Sequence, residues 1–264
     1  MEFTEIEVKE LQVAKNILEN PGLAARITNL VGEPIEKGFA LLPEKWNQNI
    51  GEVTQTALLK AADAAIVTMK DIPGEESSNL WHKFGVAVSG GVGGFFGVAG
   101  LSVELPISTT IMLRSIADVA RSEGECVRSI KTKLACLEVF ALGGKSESDD
   151  GVESGYYVIR GALAMSVLEA TEHLLQKGLA QEAAPALVRL ITKIAERFGV
   201  QVTQKAAAQA LPAIGAAGGA IINTLFIDHF QDMARGHFIV RRLERLHGQA
   251  EVQELYESLA SKAV

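Results

Sequence analysis

The sequence predicts an all-α protein, a bundle of many helices. Apolar residues recur at helical spacing through most of the 264 residues, and no segment alternates with period two for long enough to form a strand. Proline, which interrupts helices, is scarce at 7 residues. Aromatic residues make up only 6% of the chain while apolar residues make up 48%, so we expect a core packed with Ala, Val, Leu and Ile.

The predicted helices follow one another along the chain, separated by proline, glycine and polar segments. The first is amphipathic and ends at Asn20, Pro21 and Gly22. Further helices are expected at residues 54–69, 106–121, 127–142, 155–176, 182–197, 200–210 and 223–247, followed by a short tail helix. The polar residues 145–151 predict an exposed loop. We expect residues 1–74 to form a helical arm or lid on a core of residues 75–264, the two making one continuous domain.

Charge and cysteine content restrict the class of protein. The formal net charge of −7 argues against a nucleic-acid binder, because phosphate backbones require clustered positive charge. Cys126 and Cys136 lack zinc-type spacing and indicate reduced thiols in a cytosolic protein. The N-terminal segment has no apolar stretch of the signal-peptide kind. We therefore expect a cytoplasmic protein, with membrane association, that holds no metal and no cofactor.

A glycine-rich run at residues 84–101 resembles a phosphate-binding loop only superficially. Gly91 and Gly93 have the spacing of a dinucleotide fingerprint, but the third glycine would fall at Phe96, and no lysine follows until Lys131. The segment Gly144-Lys145-Ser146 ends like a phosphate loop, yet the glycine required five places earlier is Val139. Neither segment predicts a nucleotide site.

Close helix packing explains the run better. Glycines four residues apart lie on one helix face and let two backbones approach closely. A second run at residues 214–220 repeats the pattern, so we expect two Gly-rich, close-packed helical hairpins. The glycines concerned are Gly90, Gly93, Gly94, Gly97, Gly215 and Gly219.

A lipid environment is the alternative to a buried hairpin. Residues 87–105 contain one charged residue, Glu104, and approach the roughly 20 residues that span a membrane. The run lacks the flanking lysines and aromatic residues that anchor true spans. A buried glycine zipper is favoured, with shallow or conditional insertion next and a stable span last.

The segment after the first run carries a candidate buried polar or ligand site. Ser102 is expected to cap the following helix, with Glu104 and Pro106 in its first turn. Arg114 and Asp118 lie four residues apart among apolar residues, which predicts a desolvated ion pair that fixes helix register or binds a ligand. The whole candidate site is Glu104, Thr110, Arg114, Asp118 and Arg121.

A second candidate site lies near the C-terminus. Arg241, Arg242 and Arg245 surround a single Glu244 on an amphipathic helix, which is typical either of an anion or lipid-headgroup patch or of a salt-bridged face. Catalytic patterns are missing. The histidines lack metal-binding spacing, and residues 100–104 lack the last glycine of a nucleophile elbow.

Four segments resemble the bacterial EcsC protein family. They are SVELPISTTIMLRSIADVARSEGE at 102–125, LACLEVFALGG at 134–144, YYVIRGALA at 156–164 and, within 214–248, IGAAGGAII and DMARGHFIVRRLERLHG. The resemblance covers roughly residues 78–248 and implies a mostly helical protein that acts near membranes, since the family is named for a gene beside those of an ABC transporter. It supplies no assigned activity and no catalytic residues.

Together these observations predict a non-enzymatic protein that engages a membrane surface, a lipid or a membrane protein. The alternative is a hydrolase-type enzyme with a buried polar site around Glu104, Arg114 and Asp118. The sequence does not specify an oligomeric state.

Overall fold

The structure is a computed structural model and describes residues 3–19, 22–32, 34–68, 97–143, 155–177, 185–211 and 215–260. Every regular element within these residues is a helix, which confirms the all-α prediction. The helices are α1 (Glu5–Glu19), α2 (Leu23–Val31), α3 (Glu36–Phe39), α4 (Trp46–Thr68), α5 (Gly97–Ser122), α6 (Ile130–Glu138), α7 (Tyr156–Lys177), α8 (Pro185–Ala210), α9 (Gly215–His247) and α10 (Gln249–Ser258). A short 3-10 helix, Val139–Ala141, continues α6.

Local signals account for several helix ends. Thr4 and Glu7 form a capping box before α1, with the Thr4 backbone N–H donating to Glu7 Oε2 at 2.8 Å and the Glu7 N–H donating to Thr4 Oγ1 at 3.3 Å. The first helix ends at Glu19, next to the predicted stop. Gly143 follows the 3-10 helix with a φ of 75°, a left-handed conformation that favours glycine.

The predicted start of the helix after the first glycine run is wrong. Ser102 does not cap that helix, because α5 begins at Gly97 and continues through Pro106. An interior proline removes one backbone hydrogen bond and costs about 3 kcal/mol. Packing outweighs this cost, since α5 lies against α4 and α9 and buries Leu105 completely. Thr110 turns its hydroxyl back along α5 and donates to the Pro106 carbonyl at 2.7 Å.

The predicted break between residues 197 and 200 is also wrong, because α8 runs unbroken from Pro185 to Ala210. Gly199, read as part of the break, lies inside this helix and is buried. A Cβ built there would lie 3.7 Å from Thr54 Oγ1 of α4. The packing of α8 against α4 keeps the helix continuous where local propensity favours an interruption.

The described helices share one hydrophobic core. Leu11 and Ala14 of α1, Leu23 of α2 and Leu58 of α4 are fully buried, so helices from the expected N-terminal arm contribute directly to that core. Aliphatic residues supply most of it, as predicted. Four of its aromatic residues form one cluster with neighbouring ring centroids 5.0–6.1 Å apart: Phe140, Phe198, Phe226 and Phe230.

Helices α5 and α9 run parallel, which decides where their N-terminal ends lie. Gln231 donates to Ser115 Oγ at 2.8 Å, and ten residues further along both segments Arg241 donates to Glu125 at 2.9 Å. The constant offset between the paired residues requires the two helices to point the same way. Both helices begin with a glycine from the predicted runs, Gly97 and Gly215.

Candidate functional site

The polar residues predicted on α5 do not form one site. Glu104 and Asp118 are fourteen residues apart on a continuous helix, which separates them by about 21 Å along its axis. Asp118 pairs with Arg121 at 3.2 Å, and both side chains are more than 40% exposed. Arg114 lies between Glu104 and Asp118 along α5 and is half-buried. The prediction of a desolvated Arg114–Asp118 pair is therefore wrong on the Asp118 side, because that carboxylate faces water.

Glu104 instead pairs with Lys205, a residue that the sequence analysis missed. Lys205 Nζ lies 2.8 Å from Glu104 Oε1, and the lysine side chain is only 3% exposed. The same ammonium lies 5.0 Å from the ring centroid of Phe226. A signal existed in the sequence, since Lys205 falls on the apolar stripe of α8 that contains Phe198 and Val202.

Lys205 of α8 links the N-terminal half of α5 to that of α9. Glu104 is the eighth residue of α5 and Phe226 is the twelfth residue of α9, so the N-terminal ends of these parallel helices lie at the same end of the bundle. We call residues 97–107 and 215–226 the glycine end. Ile107 and Ile221 are exposed there, at 50% and 47%.

The predicted close-packing glycines are only partly within the described residues. Gly90, Gly93 and Gly94 lie outside them, so the first hairpin stays a prediction. Gly97, Gly215 and Gly219 lie in α5 and α9.

Close backbone contacts are visible at two other glycines. A Cβ at Gly38 would collide with the Ala207 carbonyl, and one at Gly236 would lie 2.7 Å from Leu18 Cγ. These glycines allow α3 to approach α8 and α1 to approach α9.

The three predicted patch arginines are held by carboxylates. Arg241 and Arg245 both bind Glu125, whose side chain is 6% exposed. Arg245 also donates to the Glu123 carbonyl at 2.6 Å. Burial raises the pKa of Glu125, but the hydrogen bond and charge of Arg241, together with the hydrogen bond of Thr132 and the charge of Arg245, outweigh burial and leave this pKa below its ordinary value.

Arg242 is held in the same way from a different helix. Its guanidinium lies 3.0 Å from Glu10 of α1 and 3.0 Å from Glu123, which follows α5. The three arginines therefore connect α9 to α1 and to the segment after α5. Of the two alternatives that the sequence left for this helix, a headgroup patch or a salt-bridged face, this arrangement is the salt-bridged face.

Helix α1 is also tied to the C-terminal part of the chain. Lys15 donates to the Tyr256 and Leu259 carbonyls, each at 2.8 Å, and His247 Nε2 donates to Glu7 Oε1 at 2.9 Å. The hydrogen bond from His247, with smaller contributions from Thr4, lowers the pKa of Glu7 to about 2.

A buried polar cluster lies between α6, α7 and α9, and sequence reasoning did not find it. Arg160 binds Glu244 in a bidentate pair, with N–O distances of 2.6 and 3.0 Å. Tyr156 and Nδ1 of the fully buried His237 share a hydrogen bond of 2.9 Å. Glu138 of α6 is buried and close enough for the charges of Arg160 and Glu244 to affect it.

The pKa values of this cluster point away from nucleophilic catalysis. Burial raises the pKa of the Tyr156 hydroxyl and of the Cys136 thiol on α6, which is the opposite of what activates a nucleophile. Burial also raises the pKa of Glu138 and lowers that of His237. Burial therefore favours the neutral form of each of these groups, as expected of polar groups enclosed in a core.

The described residues lack both a metal-binding cluster and a membrane-spanning helix. No group of His, Cys, Asp and Glu there has the arrangement of a metal site. No helix among the same residues combines the length and apolarity that crossing a bilayer requires. Cys126 and Cys136 are both free, the first exposed and the second buried.

These features define an all-α bundle protein in which the largely buried side chains of Lys205, Glu125 and Glu244 are each paired with an opposite charge from a distant part of the chain. The chain belongs to the EcsC protein family, whose model matches residues 5–243. The match begins in α1, so it includes the N-terminal helices that lie before the segments quoted above. No curated protein and no solved structure matches the chain.

Proposed function

We propose that this protein is a non-enzymatic binding protein that engages a membrane surface, its lipid or a membrane protein within it, through the glycine end. The observation that carries the proposal is the position of Lys205, which contacts both Glu104 and Phe226 and so brings the N-terminal ends of α5 and α9 together. Two glycine-rich segments that are far apart in sequence thereby meet at one end of the bundle.

The glycine end is nearly free of charge. Residues 97–107 contain one charged residue, Glu104, and residues 215–226 contain none. Lys205 neutralises that carboxylate beneath the surface, while Ile107 and Ile221 project outward. An apolar surface with its only carboxylate already paired can enter the interface of a bilayer at little electrostatic cost.

Apolar insertion, rather than headgroup attraction, is the mode that this geometry supports. The net charge of −7 opposes approach to an anionic surface. Arg241, Arg242 and Arg245 could have offset this repulsion, but they are bound to carboxylates of the protein itself: Glu10, Glu123 and Glu125. We therefore expect membrane binding that depends weakly on salt and does not require anionic lipid.

The alternative of a hydrolase finds less support. Glu104 and Asp118 are separated along α5, and burial favours the neutral forms of Tyr156, His237 and Glu138 rather than activating them. A binding role needs neither feature.

Vesicle flotation tests the proposal. Wild-type protein should float with neutral phosphatidylcholine vesicles and with vesicles containing phosphatidylglycerol, at low and at high salt. Burying an isoleucine contributes about 1.5–3 kcal/mol, so Ile107→Glu and Ile221→Glu should each weaken partitioning by roughly tenfold or more. Val13→Glu on α1, at a site 50% exposed, is the matched control and should bind as wild type.

Other outcomes separate the alternatives. Binding that requires phosphatidylglycerol and disappears with salt would overturn the apolar mode in favour of headgroup attraction. If neither kind of vesicle binds the protein, direct lipid engagement is wrong. Cross-linking in native membranes, compared between wild type and Ile107→Glu, would then show whether the glycine end contacts a membrane protein.

A further inference from the structure

Helix α7 presents apolar side chains to solvent as well as to the core. Its inner face buries Tyr156, Leu163 and Ala170, as expected for a helix packed on a bundle. Its outer face also carries large apolar side chains that are 47–65% exposed: Val158, Met165, Leu168 and Leu175. At about 100° per residue these four residues share one face. An exposed apolar surface of this kind marks an interaction site.

The four side chains are placed symmetrically along α7. Val158 and Leu175 are equally distant from the midpoint between residues 166 and 167, and Met165 and Leu168 are equally distant from the same point. A twofold axis through that midpoint would place α7 antiparallel to α7 of a second copy. Met165 would then face Leu168 of that copy, and Val158 would face its Leu175. Such a surface is complementary to itself, which is what an isologous interface requires.

The polar residues on this face fit the same arrangement. Gly161 and Glu172 are also equally distant from the midpoint, so Glu172 of one copy would lie over Gly161 of the other. A Cβ at Gly161 would meet no atom within 4 Å, which leaves room for that side chain. Glu169 is already paired with Arg189 at 2.9 Å.

We propose that this protein forms a homodimer through antiparallel packing of α7 against α7 of a second copy. A second copy fits this face better than lipid does, because lipid would have to accommodate Glu169 and Glu172 in an apolar phase. The dimer surface lies on α7 and is separate from the glycine end on α5 and α9. The inference therefore stands independently of the proposed membrane function. A contact of a single pair of helices is at the small end of stable interfaces, so the dimer should dissociate on dilution.

Sedimentation velocity over a wide range of protein concentrations tests the dimer. The wild-type sedimentation coefficient should rise with concentration towards that of a dimer. Met165→Glu and Leu168→Glu should each weaken association by at least roughly tenfold, since each places a carboxylate opposite an apolar side chain of the other copy. Ile107→Glu changes a residue of α5 that is equally exposed, at 50% against 51% for Leu168, and should associate as wild type. Circular dichroism checks that every variant is folded.

Disulfide formation tests the antiparallel register. All chains carry Cys126→Ser, which removes the exposed native thiol. A mixture of Met165→Cys and Leu168→Cys chains should form a covalent dimer faster than either chain alone. A mixture of Val158→Cys and Leu168→Cys chains is the mismatched control and should be slower.

Three results would overturn the proposal. The first is a wild-type protein that stays monomeric at every concentration. The second is a dimer that Met165→Glu and Leu168→Glu leave intact, and the third is equal cross-linking in matched and mismatched mixtures.

Discussion

Replacing Glu104 with methionine should destabilise the protein more than replacing Lys205 with methionine. The lysine side chain is 3% exposed and the glutamate 20% exposed, with 2.8 Å between Nζ and Oε1. Removing one partner of a buried ion pair costs about 3–5 kcal/mol, because the other charge stays buried without compensation. Glu104→Met strands the enclosed ammonium and should cost that full amount. Lys205→Met leaves a carboxylate that water partly reaches, so we expect about 1–3 kcal/mol.

The cost of Glu104→Met has an upper limit and a characteristic pH dependence. The stranded ammonium can release its proton, and deprotonating an ordinary lysine at pH 7 costs about 4.6 kcal/mol. The folded variant then binds fewer protons than its unfolded chain, so its stability rises with pH. The difference from wild type should therefore shrink as the pH approaches about 10.

Urea unfolding followed by circular dichroism measures these free energies. Urea is preferable to guanidinium chloride because it does not screen the ion pair. The double variant, Glu104→Met with Lys205→Met, should recover most of the stability that Glu104→Met loses, since it leaves no unpaired charge in the core. Asp118→Ala is the control, because its pair with Arg121 is exposed and contributes less than about 1 kcal/mol. If Glu104→Met costs no more than Asp118→Ala, the pair does not hold the glycine end together.

Two further predictions concern packing and pH. Gly236→Ala should lower the free energy of unfolding by about 1–3 kcal/mol, because the new Cβ would lie 2.7 Å from Leu18 Cγ. Gly51→Ala should instead raise the free energy of unfolding by up to about 1 kcal/mol, because Gly51 lies inside α4 and no atom lies within 4 Å of the added carbon. Equal effects of the two substitutions in urea unfolding would contradict the close contact between Gly236 and Leu18. Burial raises the pKa of Glu138, so the folded state holds its proton more tightly than the unfolded chain, and this contribution to stability is lost as the pH rises above the ordinary value of 4.5. Glu138→Gln should therefore become more stable relative to wild type as the pH rises above about 4.5, whereas a difference that does not change with pH would show that burial does not raise the pKa of Glu138.

Local patterns predicted the helical class and most of its elements. The end of α1 at Glu19 and the stop at Gly143 follow from proline, glycine and the capping residues nearby. Such signals act over one or two helical turns, so they can be read directly from the sequence. They failed at Pro106 and Gly199, where local propensity disfavours a helix and packing against neighbouring helices supplies the missing stability.

The candidate site was predicted only in part. Glu104 was included in a candidate buried polar site, but no partner was assigned to it, because Lys205 lies across the bundle. The arginines of α9 were correctly grouped, while the carboxylates that hold them, Glu10, Glu123 and Glu125, were not assigned to them. Lys205 and His237 each lie on the apolar stripe of a helix, and a charged or polar residue in such a place signals a buried partner.

By itself, the sequence determined that this protein is helical, where most helices end, and which family it resembles. These properties depend on side-chain periodicity and backbone preferences within a few residues. The tertiary structure decided which charges meet, because Glu104 and Lys205 are 101 residues apart and Glu7 and His247 are 240 apart. It also decided that α7 keeps an apolar face exposed, since the side of a helix that meets the core depends on how its neighbours pack. Periodicity marks an apolar face, but only the arrangement of the other helices determines whether that face is covered.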